Sequence, residues 1–301
     1  MTSPPPRPSL LHPISPPAGV PGHGKADVLR LDLLHPVISG NKLFKLKYHL
    51  QRAAANAGPV ITFGGAWSNH LVAAAYAIRQ AGLSSIGIVR GEEARSLSAT
   101  LRSAREYGMR LEFISRRQYA ERNTPEFTNW MLARFPGAYI IPEGGSGLAG
   151  IRGCEDILRI TDCSHYTHVL CAIGTGTMFL GIARASLPGQ VVIGVPVLKG
   201  VDPLSLVDSN ILPSDRREHA QLLTGYHFGG YARHPKPLLD FMNDFYRQTG
   251  IPSDIVYTGK LFYAYQDSLK KNIFPAAARI LLIHSGGLQG NLSLPPGVLL
   301  F

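Results

Sequence analysis

The 301-residue sequence has few cysteines and no long apolar segment, and each shortage excludes a class of protein. No apolar run approaches the ~18 residues that a membrane-spanning helix needs. The three cysteines lack the spacing of metal ligands, which favours reduced core residues over a disulfide framework or a metal site. The proline-rich residues 1–24 have no apolar core of the signal-peptide type. We therefore predict a loosely ordered arm there and a cytoplasmic protein with no membrane partner.

Acidic residues are also scarce: 30 Lys and Arg stand against 20 Asp and Glu, a formal net charge of +10. The basic residues are spread out, and their densest clusters are pairs such as Arg116-Arg117. The sequence has no arginine-rich arm and no zinc-finger pattern. This distribution favours a solvated basic surface over a nucleic-acid site, and we predict no nucleic-acid partner. Part of the positive field would attract an anionic substrate.

Glycine and proline are abundant, at 32 and 23 residues, and they punctuate a regular alternation of predicted strands and helices. Before a glycine-rich stretch at 142–147, the pattern predicts strands at 28–33, 60–63, 86–89 and 111–114 and helices at 41–56, 70–81, 96–107 and 124–135. After it, the pattern predicts strands at 167–173, 191–195 and 278–284 and helices at 151–159, 177–186, 235–249 and 259–270. Alternation at this spacing indicates an α/β fold of parallel strands joined by crossover helices.

Lys42 lies at the join between the first strand and the first helix, within residues 39–45 (SGNKLFK). A turn on one side and a helix on the other suit a Schiff-base amine better than a solvated charge. Most lysines near a helix start are solvated, so the motif alone does not establish the role. If Lys42 is such an amine, the protein is an enzyme that uses pyridoxal 5'-phosphate (PLP). The amine would then need a lowered pKa, which burial and the neighbouring cation Lys45 would supply.

Residues 174–177 (GTGT) lie between an apolar strand and a helix, which is where α/β sheets bind phosphate. Backbone N–H groups and the helix dipole would face the anion, and Thr175 and Thr177 add hydroxyl donors. A dinucleotide fingerprint would need glycine where Phe179 stands, and a Walker A loop would need Gly-Lys-Ser/Thr, which is absent. A compact monophosphate such as PLP fits the motif, while a plain strand–helix turn stays open.

Five motifs stand in order along the chain: residues 39–45 (SGNKLFK), 64–70 (GGAWSNH), 174–177 (GTGT), 256–260 (VYTGK) and 284–287 (HSGG). Together they closely resemble the family of 1-aminocyclopropane-1-carboxylate (ACC) deaminase and D-cysteine desulfhydrase, within the tryptophan-synthase-β-like group of PLP enzymes. The match runs from about residue 29 to about residue 290, which is most of the chain.

The resemblance implies PLP fold type II: two open, twisted, mostly parallel sheets with helices on both faces, and PLP in the cleft between two domains. It implies a larger PLP-binding domain of residues 25–53 and 146–301. It implies a smaller domain of residues 54–145 that carries the 68–70 turn. It also implies a homodimer.

The resemblance assigns catalytic roles to single residues. Lys42 matches the lysine that binds the cofactor covalently and later moves the substrate Cα proton; Ser68 or a tyrosine is the alternative base, depending on which face of the substrate is presented. Ser68 matches an active-site serine beside the substrate, and Tyr257 matches a tyrosine near the ring and Cα. Tyr231, in a looser match, corresponds to a second active-site tyrosine, and a packed loop aromatic is the open alternative.

Other matches concern binding of the cofactor. Asn69 matches the residue that hydrogen-bonds the phenolic oxygen of PLP, and Lys45 matches a residue of the phosphate site. The rest of that phosphate site matches Gly174, Thr175, Gly176 and Thr177.

The turn at residues 68–70 matches the site of the substrate carboxylate. Free N–H groups at the start of the following helix would meet this anion, together with a favourable helix dipole. His70 would be either a proton carrier or a structural residue at the helix start. Trp67 stands where relatives usually carry glutamine, and it would narrow the substrate pocket.

The family divides at the group that faces the pyridine nitrogen of PLP. ACC deaminases carry a glutamate after the motif tyrosine, whereas this chain has Thr258, with Ser285 as a second hydroxyl residue before the Gly-Gly pair. A carboxylate would keep the nitrogen protonated and the ring a strong electron sink, while a hydroxyl gives a weaker sink. Ring opening needs the strong sink, and elimination of a good leaving group does not.

We therefore predict a PLP-dependent lyase that acts by α,β-elimination on a small, D-cysteine-like amino acid and gives pyruvate, ammonia and sulfide. The D preference comes from the resemblance alone. ACC deamination and PLP binding without this lyase activity are the alternatives.

Overall fold

The computed structural model describes residues 9–16, 26–200 and 210–301, and the strands within these ranges form two sheets. In chain order the strands are β1 Leu11–Ile14, β2 Ala26–Arg30, β3 Val60–Gly64, β4 Ser85–Arg90, β5 Arg110–Ile114, β6 Tyr139–Ile140, β7 His168–Ile173, β8 Val191–Pro196, β9 Ala220–Leu222 and β10 Ile280–His284. The larger sheet has the order β1-β2-β10-β7-β8-β9, and the smaller has the order β5-β4-β3-β6. Every neighbouring pair is parallel except β1 and β2.

Helices connect most of these strands. In chain order they are α1 Lys42–Ala53, α2 Asn69–Gln80, α3 Ala99–Glu106, α4 Arg116–Ala120, α5 Pro125–Arg134, α6 Leu148–Glu155, α7 Thr177–Ala185, α8 Ser214–Arg217, α9 Lys236–Thr249 and α10 Thr258–Lys270. The α/β class and the two mostly parallel sheets that the sequence predicts are confirmed. None of the helices in the described ranges is long and apolar enough to cross a bilayer.

The central strand β10 contributes to two separate apolar cores. Leu281 and Ile283 pack in the core that α6 and α7 cover, whereas Ile280 and Leu282 pack in the core that α9 and α10 cover. Side chains alternate between the two faces of a strand, so a strand covered on both faces must be apolar throughout. The continuous apolar run at 280–283 is therefore what a central parallel strand requires.

Helix α1 is held against α6 by direct backbone packing. A Cβ added to Gly153 of α6 would collide with the carbonyl oxygen of Phe44 in α1. Only glycine allows the two backbones to come this close. This packing sets the position of α1, which carries both Lys42 and Lys45.

The structure differs from the sequence-based expectation in the proline-rich arm. Leu11 lies opposite Leu29 and Ile14 lies opposite Ala26, so residues 11–14 form the edge strand β1 rather than loose chain. Pro13 is tolerated there because an edge strand has a neighbour on one side only. The rest of the arm prediction, at residues 1–8 and 17–24, lies outside the described residues.

The sequence pattern also failed to predict several short elements. β6 has two residues, β9 has three and α4 has five, which is too few for a hydrophobic period to register. The predicted strand at 28–33 ends at Arg30, and Leu31–Leu33 form a 3-10 turn instead. All four strands of the smaller sheet lie within residues 54–145, while the domain boundaries themselves stay a prediction.

Candidate active site

Lys42 is the first residue of α1, and the turn before it packs against the end of β10. Gly40 has φ +68°, and a Cβ there would collide with the carbonyl oxygen of Ser285. Asn41 N–H donates to that same oxygen at 3.1 Å. The two motifs at 39–45 and 284–287, which are far apart in sequence, therefore meet directly behind Lys42.

Two buried lysine amines, those of Lys42 and Lys45, lie close together. The Lys42 Nζ donates to Asn41 Oδ1 at 2.9 Å. Burial, and after it the Lys45 cation, lower the pKa of Lys42 to about 7. Burial likewise lowers the pKa of Lys45, whose residue is only 6% exposed. Within the described ranges neither amine forms an ion pair with a carboxylate, so this space carries uncompensated positive charge.

The GTGT loop lies beside Lys45. The Lys45 Nζ is 3.5 Å from Thr175 Oγ1, and that oxygen is 2.9 Å from Thr177 Oγ1. Gly176, in the left-handed conformation at φ 78°, precedes α7, and no side chain caps the first N–H groups of that helix. An ammonium, two hydroxyls and free helix N–H groups therefore converge, which is a donor set suited to a phosphate.

Asn69 joins the smaller sheet to the larger one. Its Nδ2 donates to the carbonyl oxygen of Gly287 at 3.1 Å. Its Oδ1 is buried and has no hydrogen-bond partner among the described residues. A Cβ added to Gly287 would come within 3.2 Å of Asp254 Cγ and 3.4 Å of Asn69 Nδ2. Asn69 thus keeps one amide hydrogen and one acceptor for a group outside the chain.

His70, the second residue of α2, is buried and neutral. Its Nε2 is 2.8 Å from Thr62 Oγ1, and that hydroxyl donates to the carbonyl oxygen of Ile141 at 3.0 Å. The hydroxyl must therefore accept from Nε2, which places the imidazole proton on Nε2. Burial, with the Lys42 and Lys45 cations nearby, holds the pKa of His70 well below its usual value. Nδ1 is then a buried acceptor without a partner in the described part of the chain.

The two predicted tyrosines differ in their surroundings. The Tyr257 ring lies over Gly174, where an added Cβ would come within 2.9 Å of Cε1. Burial raises the pKa of Tyr257, and Tyr231 is close enough to raise it further. Tyr231 itself is 51% exposed, although its hydroxyl is desolvated enough to raise its pKa. Arg90, at the end of β4 in the smaller sheet, opposes this shift and lowers the pKa of Tyr231. Tyr231 therefore lies where the two sheets face each other.

Thr258 is fully buried and bound to Asp254, a residue that the sequence reasoning did not select. The Thr258 hydroxyl donates to Asp254 Oδ1 at 2.7 Å and accepts from Asp254 N–H at 2.7 Å. The same carboxylate accepts the backbone N–H groups of Val256, Tyr257 and Thr258 at 2.8–2.9 Å. Asp254 therefore holds the turn that leads into α10. An aspartate a few residues before a predicted helix is the signal that could have found it.

The remaining predicted residues lie around this space at different depths. Ser68 precedes α2 and is half-buried, and its side chain makes no capping bond to the helix. Ser285 is 6% exposed, and its carbonyl binds Asn41. Trp67 is 39% exposed and borders a cavity of about 430 Å³ that Arg90 and Leu292 also line. Trp67 is thus a surface residue rather than an interior one.

The interior space fits PLP. Its phosphate would lie between Lys45, Thr175 and Thr177, where it would neutralise the uncompensated charge. Asn69 donates one of its two amide hydrogens to Gly287 and has a second for a phenolic oxygen, and the pKa of Lys42, about 7, leaves part of its amine neutral at neutral pH.

Comparisons with known proteins agree with this geometry. The family model described as pyridoxal-phosphate dependent enzyme matches residues 17–286. The bifunctional mitochondrial D-cysteine desulfhydrase/ACC deaminase of Arabidopsis thaliana is 29% identical over 308 residues, which cover 90% of this chain and 74% of that protein. A provisionally named ACC deaminase of Pyrococcus abyssi is 27% identical over 286 residues, covering 87% and 84%. A crystal structure of an ACC deaminase homologue superposes with a TM-score of 0.73 at 25% identity, covering 89% and 86%.

Proposed function

This chain belongs to the pyridoxal-phosphate dependent enzyme family and uses PLP as its cofactor, and we propose that it catalyses α,β-elimination on a small, D-cysteine-like amino acid. The products would be pyruvate, ammonia and sulfide. The observation that carries this choice is Thr258, a hydroxyl residue at the position that the family resemblance places opposite the pyridine nitrogen.

The bond between Thr258 and Asp254 supports elimination over ring opening. Asp254 is committed to the start of α10 through three backbone N–H groups and the Thr258 hydroxyl. A threonine hydroxyl cannot keep a pyridine nitrogen protonated as a free carboxylate would. The resulting weaker electron sink suits a substrate with a good leaving group such as thiolate.

Lys42 is proposed to carry the cofactor and to move the substrate Cα proton. When bound, PLP supplies the electron sink that acidifies this proton. The lowered pKa of Lys42, about 7, makes the free amine available near neutral pH. Tyr257 and Tyr231 have raised pKa values and stay protonated there, so they suit proton donation better than removal of the Cα proton.

The substrate carboxylate is proposed to bind at the start of α2. Ser68 leaves the first N–H groups of this helix without a side-chain acceptor, and its hydroxyl is free to contact the substrate. An anion at this helix end is stabilised by those N–H groups and by the helix dipole. Trp67, next to Ser68, would limit the size of the substrate side chain.

ACC deamination is the second candidate, because both similar sequences carry that activity in their names. A panel assay separates the two. Purified holoenzyme would be given D-cysteine, L-cysteine, β-chloro-D-alanine and ACC, and the keto acid would be identified. We expect pyruvate from the first and third substrates. Release of 2-oxobutyrate from ACC at a matching rate would overturn the choice that rests on Thr258.

Two controls make this assay decisive. Lys42→Ala should release no keto acid from any substrate, whereas Lys47→Ala, an exposed lysine on the same helix, should keep the wild-type rates. A yellow holoenzyme that releases no keto acid from the whole panel would point instead to PLP binding without this lyase activity.

We also propose a cytoplasmic homodimer, as the family resemblance implies. Light scattering would check the dimer, and cell fractionation would check the location.

A further inference from the structure

Lys260, the last residue of the 256–260 motif, is a fully buried lysine. Its Nζ donates to the carbonyl oxygens of Gly230 at 2.7 Å, His227 at 2.9 Å and Val197 at 3.3 Å. Its relative exposure is 0%, and no ion pair in the described ranges includes it. A buried charge is costly unless its protons are bound, and here three carbonyls bind all three.

Only the charged form of Lys260 satisfies this arrangement. A neutral amine has two protons and a lone pair, and the lone pair would face one of the carbonyl oxygens. Burial lowers the pKa of Lys260 to about 8, while the Asp254 carboxylate opposes that shift. The ammonium therefore prevails at neutral pH.

The three carbonyls belong to two separate segments. Val197 follows the end of β8, whereas His227 and Gly230 lie in the loop that leads to Tyr231. That loop has an unfavourable backbone: Phe228 has φ 52° and Ala232 has φ 53°, both in the left-handed region. Residues other than glycine hold such angles only where the surrounding structure enforces them.

We propose that Lys260 is a positioning residue, whose ammonium acts as an internal cation that ties the 227–232 loop to the end of β8 and so places Tyr231 beside Tyr257. The contribution of Tyr231 to activity rests on the proposed function. The attachment of the loop by Lys260 is independent of the proposed function, because it is argued from the three hydrogen bonds alone.

The first test measures the loop directly on the full-length holoenzyme. Lys260→Met removes the charge and all three donors at similar volume, and Lys270→Met, an exposed lysine at the end of the same helix, is the matched control. We expect trypsin to cut after Arg233 roughly tenfold faster in Lys260→Met and at the wild-type rate in the control. Wild-type cutting in Lys260→Met would overturn the proposal.

The second test asks whether Lys260 acts through Tyr231. We expect Lys260→Met to lower kcat/KM by on the order of 100-fold while the cofactor absorbance is retained. Adding Tyr231→Phe should cause little further loss, because the two changes remove one contribution. Losses that multiply would show that Lys260 acts elsewhere and would overturn the placement of Tyr231. If Tyr231→Phe alone keeps full activity while Lys260→Met still frees the loop, the role of Tyr231 in the proposed function fails and the hold on the loop stands.

A third variant covers the case in which Lys260→Met does not fold. Lys260→Ala opens a space for an ammonium ion, which can bind the same three carbonyls. Ammonium chloride should restore resistance to trypsin after Arg233, and tetramethylammonium chloride, which has no N–H donors, should not. Absence of any recovery in ammonium would overturn the proposal.

Discussion

Among the described residues neither of the interior lysines Lys42 and Lys260 forms an ion pair with a carboxylate, yet their amines have opposite surroundings. Lys42 donates to one side-chain oxygen and shares its space with a second cation. Lys260 has three carbonyl acceptors. Burial lowers the pKa of both, to about 7 and about 8. The comparison teaches that a buried amine with one acceptor and a neighbouring cation is available for chemistry, whereas a buried amine bound by three carbonyl oxygens is held as a fixed ammonium.

The largest expected effect is that of removing the Lys42 amine. Lys42→Ala should lower the rate of keto-acid release by about 1,000-fold or more, because it removes both the covalent attachment and the proton carrier. Steady-state assays on the PLP-supplemented protein check this. A Lys42→Ala variant with more than a tenth of wild-type activity would break the contrast between the two lysines.

Lys45 should affect binding of the cofactor more than chemistry. Lys45→Met removes a charge-assisted bond to the phosphate, worth about 2 kcal/mol, so the Kd for PLP should rise roughly 30-fold. Titration of the apo-protein by absorbance measures it, with Lys47→Met as the exposed control. An unchanged Kd would show that the phosphate lies away from Lys45 and the GTGT loop.

Replacing Asp254 tests the stability of the start of α10, the helix that carries both Thr258 and Lys260. Asp254→Asn weakens several buried bonds to a charged acceptor, so the free energy of unfolding should fall by about 2 kcal/mol. Thermal or urea unfolding measures this, and Asp240→Asn, an exposed partner of Lys236, should change it by less than about 0.5 kcal/mol. Equal effects of the two variants would contradict the role of Asp254 in holding the turn before α10.

The pH dependence of cofactor loading should show the smallest effect. The neutral amine is the reactive form, and the pKa of Lys42 is about 7, so loading of apo-protein should speed up as pH rises through 7. The free-amine fraction, and with it the rate, should increase roughly tenfold between pH 6 and pH 8. Stopped-flow absorbance follows it. A midpoint above pH 9 would mean that Lys42 behaves as an ordinary solvated lysine.

Local patterns predicted much of the fold and of the candidate site. The helix expected from residue 41 begins at Lys42, and the helix expected after Thr124 has Thr124 Oγ1 accepting from Phe127 N–H, with Pro125 as its first residue. Such features depend on a few consecutive residues, so a single sequence reveals them. The structure also brings Lys45, Asn69 and Tyr257 around one space, while their roles stay predictions.

Other features depend on partners that leave no trace in the sequence. The acceptors of Lys260 are backbone carbonyls, which every residue has, so no residue type marks them. The strand β1 exists because β2 offers it an edge, and its four residues are too short to be recognised alone. The position of Asp254 before α10 is a signal in the sequence, but its four bonds to Val256, Tyr257 and Thr258 form only once the chain has folded around it.

The sequence by itself determined the order of the longer strands and helices, the PLP family and the lysine expected to carry the cofactor, because periodicity and motif chemistry are local. Only the tertiary structure decided which lysine amine is free and which is held. That difference depends on how many oxygen atoms from distant segments converge on each Nζ, at Lys42 one and at Lys260 three.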